Sequence, residues 1–110
     1  MITDNVVENL TQLLESWGPN GEHWCIGLHN YNGDSFCILG GIGKLESGKP
    51  GYPMTLNGHM AQAAISREVG DIISFNDYQS NGNFYNIKAA VCRAIRRELA
   101  QEEAKLEAAS

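Results

Sequence analysis

Apolar residues recur at steps of three and four between Asp4 and Trp17, which is the spacing that places them on one face of an α-helix. The members of this stripe are Val6, Val7, Leu10, Leu13, Leu14 and Trp17. Thr3 or Asp4 is expected to cap the start of the helix. Gly18 and Pro19 are expected to end it, because proline has no N–H to donate and disfavours helical geometry in the residue before it.

A second periodic stretch predicts a helix from Asn57 to Val69, with Gly70 as its C-terminal cap. Its inward residues are predicted to be Met60, Ala63, Ala64 and Ile65. The flanking segments favour loops, since residues 46–53 hold two prolines and two glycines and residues 76–83 are rich in turn-forming side chains. The short apolar run at 71–75, between this helix and the second loop, fits either a strand or a single helical turn.

The longest predicted helix begins after Asn83, which is expected to cap it. Its inward face is predicted to consist of Phe84, Ile87, Val91, Ile95 and Leu99. Residues 100–110 are rich in Ala, Glu, Lys and Gln and contain one large apolar residue, Leu106. This composition has high helix propensity and little to bury, so it predicts a frayed helical extension.

The stretch from Trp24 to Ile42 concentrates cysteine, histidine, tryptophan and glycine and is harder to assign. Residues 24–31 favour extended structure, and Asn32-Gly33 is a strong signal for a two-residue hairpin turn, because both turn positions need positive φ. Such a hairpin would pair Tyr31 with Asp34 and Leu28 with Cys37.

A second interpretation makes Asp34 or Ser35 the N-cap of a helix from Phe36 to about Leu45. We predict a combination of the two: a short extended segment, a tight turn and then this helix. Gly40 and Gly41 weaken the helix by about 1 kcal/mol each relative to alanine. Glycines at this point indicate a neighbouring backbone or ring packed very close, and Trp24 is the candidate.

These elements predict a single domain over residues 1–110 that is mainly α, and α+β at most. It should have about four helices and a short extended segment or hairpin near residues 24–38. The length and the hydrophobic content of 43% allow a core without disulfides or metal. No apolar run approaches the ~20 residues that span a bilayer, and the N-terminus lacks a signal-peptide pattern. A soluble, cytoplasmic protein with no membrane partner is therefore expected.

The net charge of -5 argues against general nucleic-acid binding, which requires clustered cations. The basic residues nevertheless gather on the last helix, where Lys88, Arg93, Arg96 and Arg97 could form a basic binding face for a phosphate-bearing ligand or an acidic partner. The alternative, which we favour, is a solvated face balanced by nearby glutamates.

Cys37 is the sharpest catalytic candidate, because a thiol in the first turn of a helix has a lowered pKa and a more nucleophilic thiolate. A cysteine hydrolase could be sketched from Cys37, His59 and either Asn76 or Asp77. The alternatives are a buried thiol that packs as a small hydrophobe, and Asn and Asp side chains that fix a turn.

His23, Cys25, His29 and Cys37 have the side-chain types that suit tetrahedral zinc. Their spacing does not match the common paired patterns, so we favour surface histidines and buried thiols, and expect neither a metal nor another cofactor. A disulfide between Cys25 and Cys37 is a further alternative in an oxidised sample. The hairpin register, which pairs Cys37 with Leu28, argues against it.

Short motifs spread over most of the chain resemble a family of small domains of unknown function from actinobacteria and their phages. The family shows Trp-x-x-Gly, Cys-x-x-Gly-Ala and Asn-Asp motifs, followed by a closing helix with Arg-Ala-Ile-like residues. The matching residues are Trp24 and Gly27, then Cys37, Gly40 and Gly41, then Asn76-Asp77, and Arg93-Ala94-Ile95. Gly41 departs from the usual alanine, and the Asn-Asp turn is about one residue longer. The resemblance implies a bacterial or phage setting and no enzyme class.

We therefore predict a small binding or interaction protein, such as a phage-encoded accessory factor acting on a host component through protein contacts. An enzyme that uses Cys37 is the main alternative, and a zinc-stabilised module is the third. The apolar stripes would also allow a homodimer.

Overall fold

Helices dominate the computed structural model, which describes residues 1–27 and 34–109. The α-helices are α1 (Val6–Trp17), α2 (Ile38–Ser47), α3 (Leu56–Val69), α4 (Ile72–Ser74) and α5 (Phe84–Ala109), with a π-helical turn at Phe75–Gln79. About 68% of the structure is helical, and no sheet forms among the described residues. The mainly α fold that the sequence predicts is confirmed.

The core lies where α1, α2, α3 and α5 pack against one another. Its largest fully buried apolar side chains are Leu10, Leu13, Trp17, Phe36, Ile38, Ile42, Ile65, Ile87 and Val91. Burying each of these side chains contributes about 1.5–3 kcal/mol relative to leaving it in water. Trp17 is fixed further, because its ring meets Phe84 edge-on at 5.6 Å and its Nε1–H donates to the Phe36 carbonyl at 3.0 Å.

Three predicted helix ends are confirmed. Gly18 and Gly70 are C-caps with positive φ, a conformation that glycine adopts without steric cost. Asn83 accepts a hydrogen bond from the backbone N–H of Tyr85 at 2.9 Å, which satisfies one of the first amides of α5.

The predicted caps of α1 are wrong, because its N-cap is Asn5, which accepts from the Glu8 N–H. Thr3 is held away from that role by Asn9, a buried residue whose Oδ1 accepts from the Thr3 N–H at 2.9 Å. The chain before α1 therefore turns back over the helix instead of leading straight into it.

The predicted inward faces of α3 and α5 need two corrections. Met60 is 41% exposed and Leu99 is 47% exposed. On α3 the buried face is made of the small residues Gly58, Ala61 and Ala64 with Ile65, which turns Met60 outward. On α5, Glu98 faces α3 and pairs with Arg67, so the next residue, Leu99, points to solvent.

Helix α2 begins later than predicted, and neither Asp34 nor Ser35 is its N-cap. Cys37 takes that place, with its Sγ accepting from the Gly40 N–H at 3.4 Å, and the helix runs to Ser47 instead of ending near Leu45. The close neighbours of Gly41 also differ from the prediction. The atoms nearest to a β-carbon placed on Gly41 belong to Leu13 and to the Phe36 ring, at 3.1 Å from the ring, and not to Trp24.

The extended segment pairs differently from the predicted hairpin. Trp24 and Phe36 form an isolated parallel bridge, in which the Phe36 N–H donates to His23 at 2.8 Å and the Cys25 N–H donates to Phe36 at 3.4 Å. A two-residue hairpin would give antiparallel pairing. The Asn32-Gly33 turn and the residues Leu28 and Tyr31 lie outside the described part of the chain.

Helical structure extends further around α4 and α5 than the sequence indicates. The 71–75 run forms α4, and residues predicted as a turn form the π-helical turn Phe75–Gln79. Helix α5 continues to Ala109 with its last residues exposed, and fraying there stays a prediction. No helix within the described part of the chain has the length and apolar content needed to cross a membrane.

Candidate functional site

Asn76 joins three separate parts of the chain at the π-helical turn. Its Oδ1 accepts from the Trp24 Nε1–H at 2.9 Å and from the Ile38 N–H at 3.3 Å. Its Nδ2 donates to the Cys25 carbonyl at 3.2 Å and to Asp77 Oδ1 at 3.0 Å. Both donor and both acceptor positions of the amide are therefore in use, at a side chain that is only 2% exposed.

Two consecutive side chains of the π-helical turn, those of Asn76 and Asp77, contact the segment from Cys25 to Gly27. Asp77 Oδ1 accepts a second hydrogen bond, from the Gly27 N–H at 2.8 Å. Gly27 has φ of 78°, which favours glycine, and a β-carbon there would meet nothing within 4 Å. Behind the turn, the Ser80 hydroxyl donates to the Asn76 carbonyl at 2.9 Å. Single π turns are rare and often occur at functional sites.

A small cleft, here called the Cys37 cleft, opens beside this network with a volume of about 70 Å³. Cys37, Asn76 and Asp77 supply its polar lining. Its apolar lining comes from Ile38, Leu39, Tyr52, Ile72 and Ile73, and Gly27 completes it. Tyr52 and Ile73 are largely exposed at its edge, whereas Ile72 and Leu39 are buried.

Three of the four sequence-predicted catalytic candidates thus meet at one cleft. Cys37, Asn76 and Asp77 line it together, although they are up to 40 positions apart in the sequence. His59 does not join them. It is exposed on α3 and lines a different groove, between α3 and α5, with Met60 and Lys105.

The chemistry of Cys37 differs from what a helix N-terminus alone would give. Burial raises the pKa of the Cys37 thiol, and the Gly40 N–H lowers it by less; nearby Cys25 and Asp77 raise it further. The expectation of a lowered thiol pKa is therefore wrong, because desolvation of a side chain that is 8% exposed outweighs the helix end. At neutral pH the group is a thiol, which is a weak nucleophile.

Most of the predicted basic face is engaged within the protein. Arg93 and Arg97 flank Glu68 of α3, at 3.6 and 3.0 Å, and Lys88 Nζ donates to the Pro19 carbonyl at 3.2 Å. Glu68 Oε2 is buried, and its contact with Arg97 is an ion pair without hydrogen-bond alignment. Arg96 is exposed. The α3 carboxylate, rather than the glutamates of α5, balances two of the four cations.

The structure describes three of the four predicted zinc ligands. His23 Nδ1 lies 2.8 Å from the Asp34 carbonyl oxygen. Cys25 and Cys37 are close enough to interact electrostatically, whereas His29 lies outside the described residues. Over residues 1–27 and 34–109, no three His, Cys, Asp or Glu side chains form a group that could hold a metal ion.

The sequence reasoning missed Tyr52 and Ile73 as cleft residues. A signal existed for each. Tyr52 is an aromatic residue in a loop rich in proline and glycine, and it belongs to none of the predicted apolar stripes. Ile72-Ile73 is an apolar pair, and consecutive helical residues cannot both face the core.

Comparisons with known proteins add no relative to this picture. No protein-family model, curated protein or solved structure matches the chain. The resemblance to the actinobacterial and phage domains therefore stays a prediction.

Proposed function

We propose that the chain is a small binding protein that recognises another polypeptide through the Cys37 cleft. The observation that carries this proposal is the exposure of two large apolar residues at the cleft edge, Tyr52 at 59% and Ile73 at 50%. Exposed apolar groups grouped around a preformed hollow mark binding sites, whereas isolated ones need no explanation. Tyrosine is also enriched in protein interfaces.

The size and charge of the cleft select its occupant. A volume of about 70 Å³ is far below the roughly 300–1,000 Å³ of typical small-molecule sites, so it suits one side chain better than a metabolite. The Asp77 carboxylate lies beside the apolar lining, and the chain carries a net charge of -5. The expected occupant is a peptide segment with a large apolar side chain next to Lys or Arg.

Selection of displayed random peptides on the immobilised chain tests this proposal. Enriched peptides should share an apolar residue adjacent to a basic one. Their affinity should fall about tenfold for Tyr52→Ala and for Ile73→Ser, which corresponds to roughly 1.4 kcal/mol of lost contact. Leu106→Ser is the matched control, because Leu106 is also an exposed apolar residue, at 73%, and lies on the distal part of α5.

Two outcomes would overturn the proposal. One is the absence of any enriched class of peptides. The other is equal binding by the cleft variants and the Leu106 control. Charge reversal at Arg93, Arg96 and Arg97 tests the basic face as the alternative binding surface. If these variants lost binding and the cleft variants kept it, recognition would be assigned to the basic face.

The proposed setting is the cytoplasm of a bacterium, where the chain would act as an accessory protein, encoded by the host or by a phage. Its support is the sequence resemblance and the acidic composition. A homodimer is tested by light scattering of the purified chain over a range of concentrations.

An enzyme that uses Cys37 is the second candidate, favoured by the meeting of Cys37 with Asp77 in one cleft. The raised thiol pKa and the remote position of His59 count against it. Thiol titration distinguishes the enzyme from the binding protein, because a cysteine nucleophile active at neutral pH must have a pKa well below about 8.5. Metal analysis of the purified protein tests the zinc-stabilised alternative.

A further inference from the structure

The parallel bridge changes the relation between Cys25 and Cys37. Trp24 lies opposite Phe36, and Cys37 keeps an extended backbone before α2 begins, so the residues that follow on the two segments, Cys25 and Cys37, are neighbours. The predicted hairpin register had separated the two cysteines by pairing Cys37 with Leu28. The observed register removes that objection to a bond between them.

The spacing at this position suits a disulfide. Adjacent extended segments lie about 4.8 Å apart, and disulfides join residues whose Cα atoms are roughly 4.4–6.8 Å apart. Side chains alternate along extended segments, so Cys25 and Cys37 project to the face opposite Trp24 and Phe36. The electrostatic effect of Cys25 on Cys37 agrees with this closeness.

We propose that Cys25 and Cys37 form a dithiol oxidation site, which takes a low-molecular-weight disulfide as its oxidant and closes into an intramolecular bond. Both residues are thiols in this structure. The bridge register and the electrostatic contact between the two cysteines support this site, and it is independent of the proposed peptide recognition.

The order of reaction follows from burial. Cys25 is half-buried and Cys37 is buried, so Cys25 meets the oxidant first. Its thiolate, after loss of a proton to solvent, attacks one sulfur of the oxidant; the oxidant's S–S bond breaks and one small thiolate leaves. Cys37 then loses its proton and attacks Cys25 Sγ in the mixed disulfide, releasing the second small thiolate. Two protein thiols are oxidised, and one disulfide is reduced to two thiols.

Oxidation would act on the structure at two places. Cys37 Sγ accepts from the Gly40 N–H, so the new bond competes with the N-cap of α2. Cys37 also lines the cleft with Gly27, two residues beyond Cys25. The oxidised form would therefore have an altered helix start and cleft wall.

Peptide mapping can read the bond directly. The reduced chain is equilibrated with mixtures of reduced and oxidised glutathione, its remaining thiols are alkylated, and it is digested. The first Lys or Arg is Lys44, so tryptic digestion leaves Cys25 and Cys37 on one peptide and Cys92 on another. Cleavage of this peptide after Asp34 then places Cys25 and Cys37 on separate fragments. The two fragments stay linked only by a Cys25–Cys37 disulfide.

We expect the disulfide to form in the folded chain at a more reducing ratio of reduced to oxidised glutathione than in the chain unfolded in urea. The difference should be about tenfold, because the fold holds the two thiols together. Cys92→Ser should leave this result unchanged. Cys25→Ser should abolish the link, and it avoids truncating the buried cap. Equal oxidation of folded and unfolded chain, or glutathione retained on Cys25 without ring closure, would overturn the proposal.

Discussion

Replacing Asn76 by alanine should be among the most damaging single changes in this protein. The substitution removes all four hydrogen bonds of the side chain, among them those from the Trp24 Nε1–H and from the buried Ile38 N–H. Leaving a buried polar group unsatisfied costs about 1–3 kcal/mol, and truncation of a fully buried side chain adds a small cavity. We therefore expect the free energy of unfolding to fall by about 3–5 kcal/mol, a large part of the roughly 5–15 kcal/mol typical of a domain.

Urea denaturation followed by tryptophan fluorescence measures this loss. With a slope of about 2 kcal/mol per molar urea, the midpoint should fall by roughly 2 M. Trp24→Phe keeps a ring and removes one donor to Asn76, so it should cost a smaller amount, about 1–2 kcal/mol, and remain measurable if Asn76→Ala fails to fold. Asn57→Ala on α3 is the control, expected within about 0.5 kcal/mol of wild type. A midpoint for Asn76→Ala as close to wild type as that of this control would refute the reasoning.

Three further predictions rest on single contacts. Partial burial raises the pKa of Glu46, but hydrogen bonds from Thr55 and Met54 and the charge of His59 lower it overall. The charged form is therefore the one that folding favours. Its contribution to stability is present above the unfolded carboxyl pKa of about 4.3 and is lost as pH falls through the lower folded value. The difference in melting temperature between pH 7 and pH 3 should therefore be smaller for Glu46→Gln than for wild type. Gly43→Ala should destabilise by about 1–3 kcal/mol in urea melts, because its β-carbon would collide with the Gly51 backbone, whereas Gly51→Ala meets nothing within 4 Å and should be tolerated. The raised pKa of Cys37 predicts slow alkylation by iodoacetamide at pH 7, and equal rates for Cys37 and an unfolded-chain thiol at that pH would contradict it.

The parts of the fold that follow from neighbouring residues could be predicted from the sequence. The stripe of α1, the stripe of α5 without Leu99, and the caps Gly18, Gly70 and Asn83 depend on residues within one or two turns. The inward face of α3 could not be fixed in this way. Its buried side consists of glycine and alanine with Ile65, and such small residues give only a weak periodic signal against an exposed methionine.

The candidate site depends on contacts that no local pattern encodes. Asn76 reaches Ile38, Cys25 and Trp24 across 38, 51 and 52 positions. Turn-forming composition correctly identified a polar segment there, but the choice between a turn and a π-helical turn is made by these distant partners. The same applies to the bridge, since the hairpin signal at Asn32-Gly33 says nothing about which residue will lie opposite Trp24.

Burial and exposure around the cleft separate the residues that hold the fold from the residues that a partner can reach. Asn76 uses all of its donor and acceptor positions, and Cys37 caps α2, so neither can engage a ligand without giving up a contact that holds the fold. Tyr52 and Ile73 expose half or more of their surface at the same opening. Variants of Asn76 should therefore lower peptide binding only together with stability, whereas Ile73→Ser should lower binding at an unchanged urea midpoint. If Ile73→Ser lost stability in proportion to binding, the Ile73 side chain would be supporting the core and the cleft would not be the recognition surface.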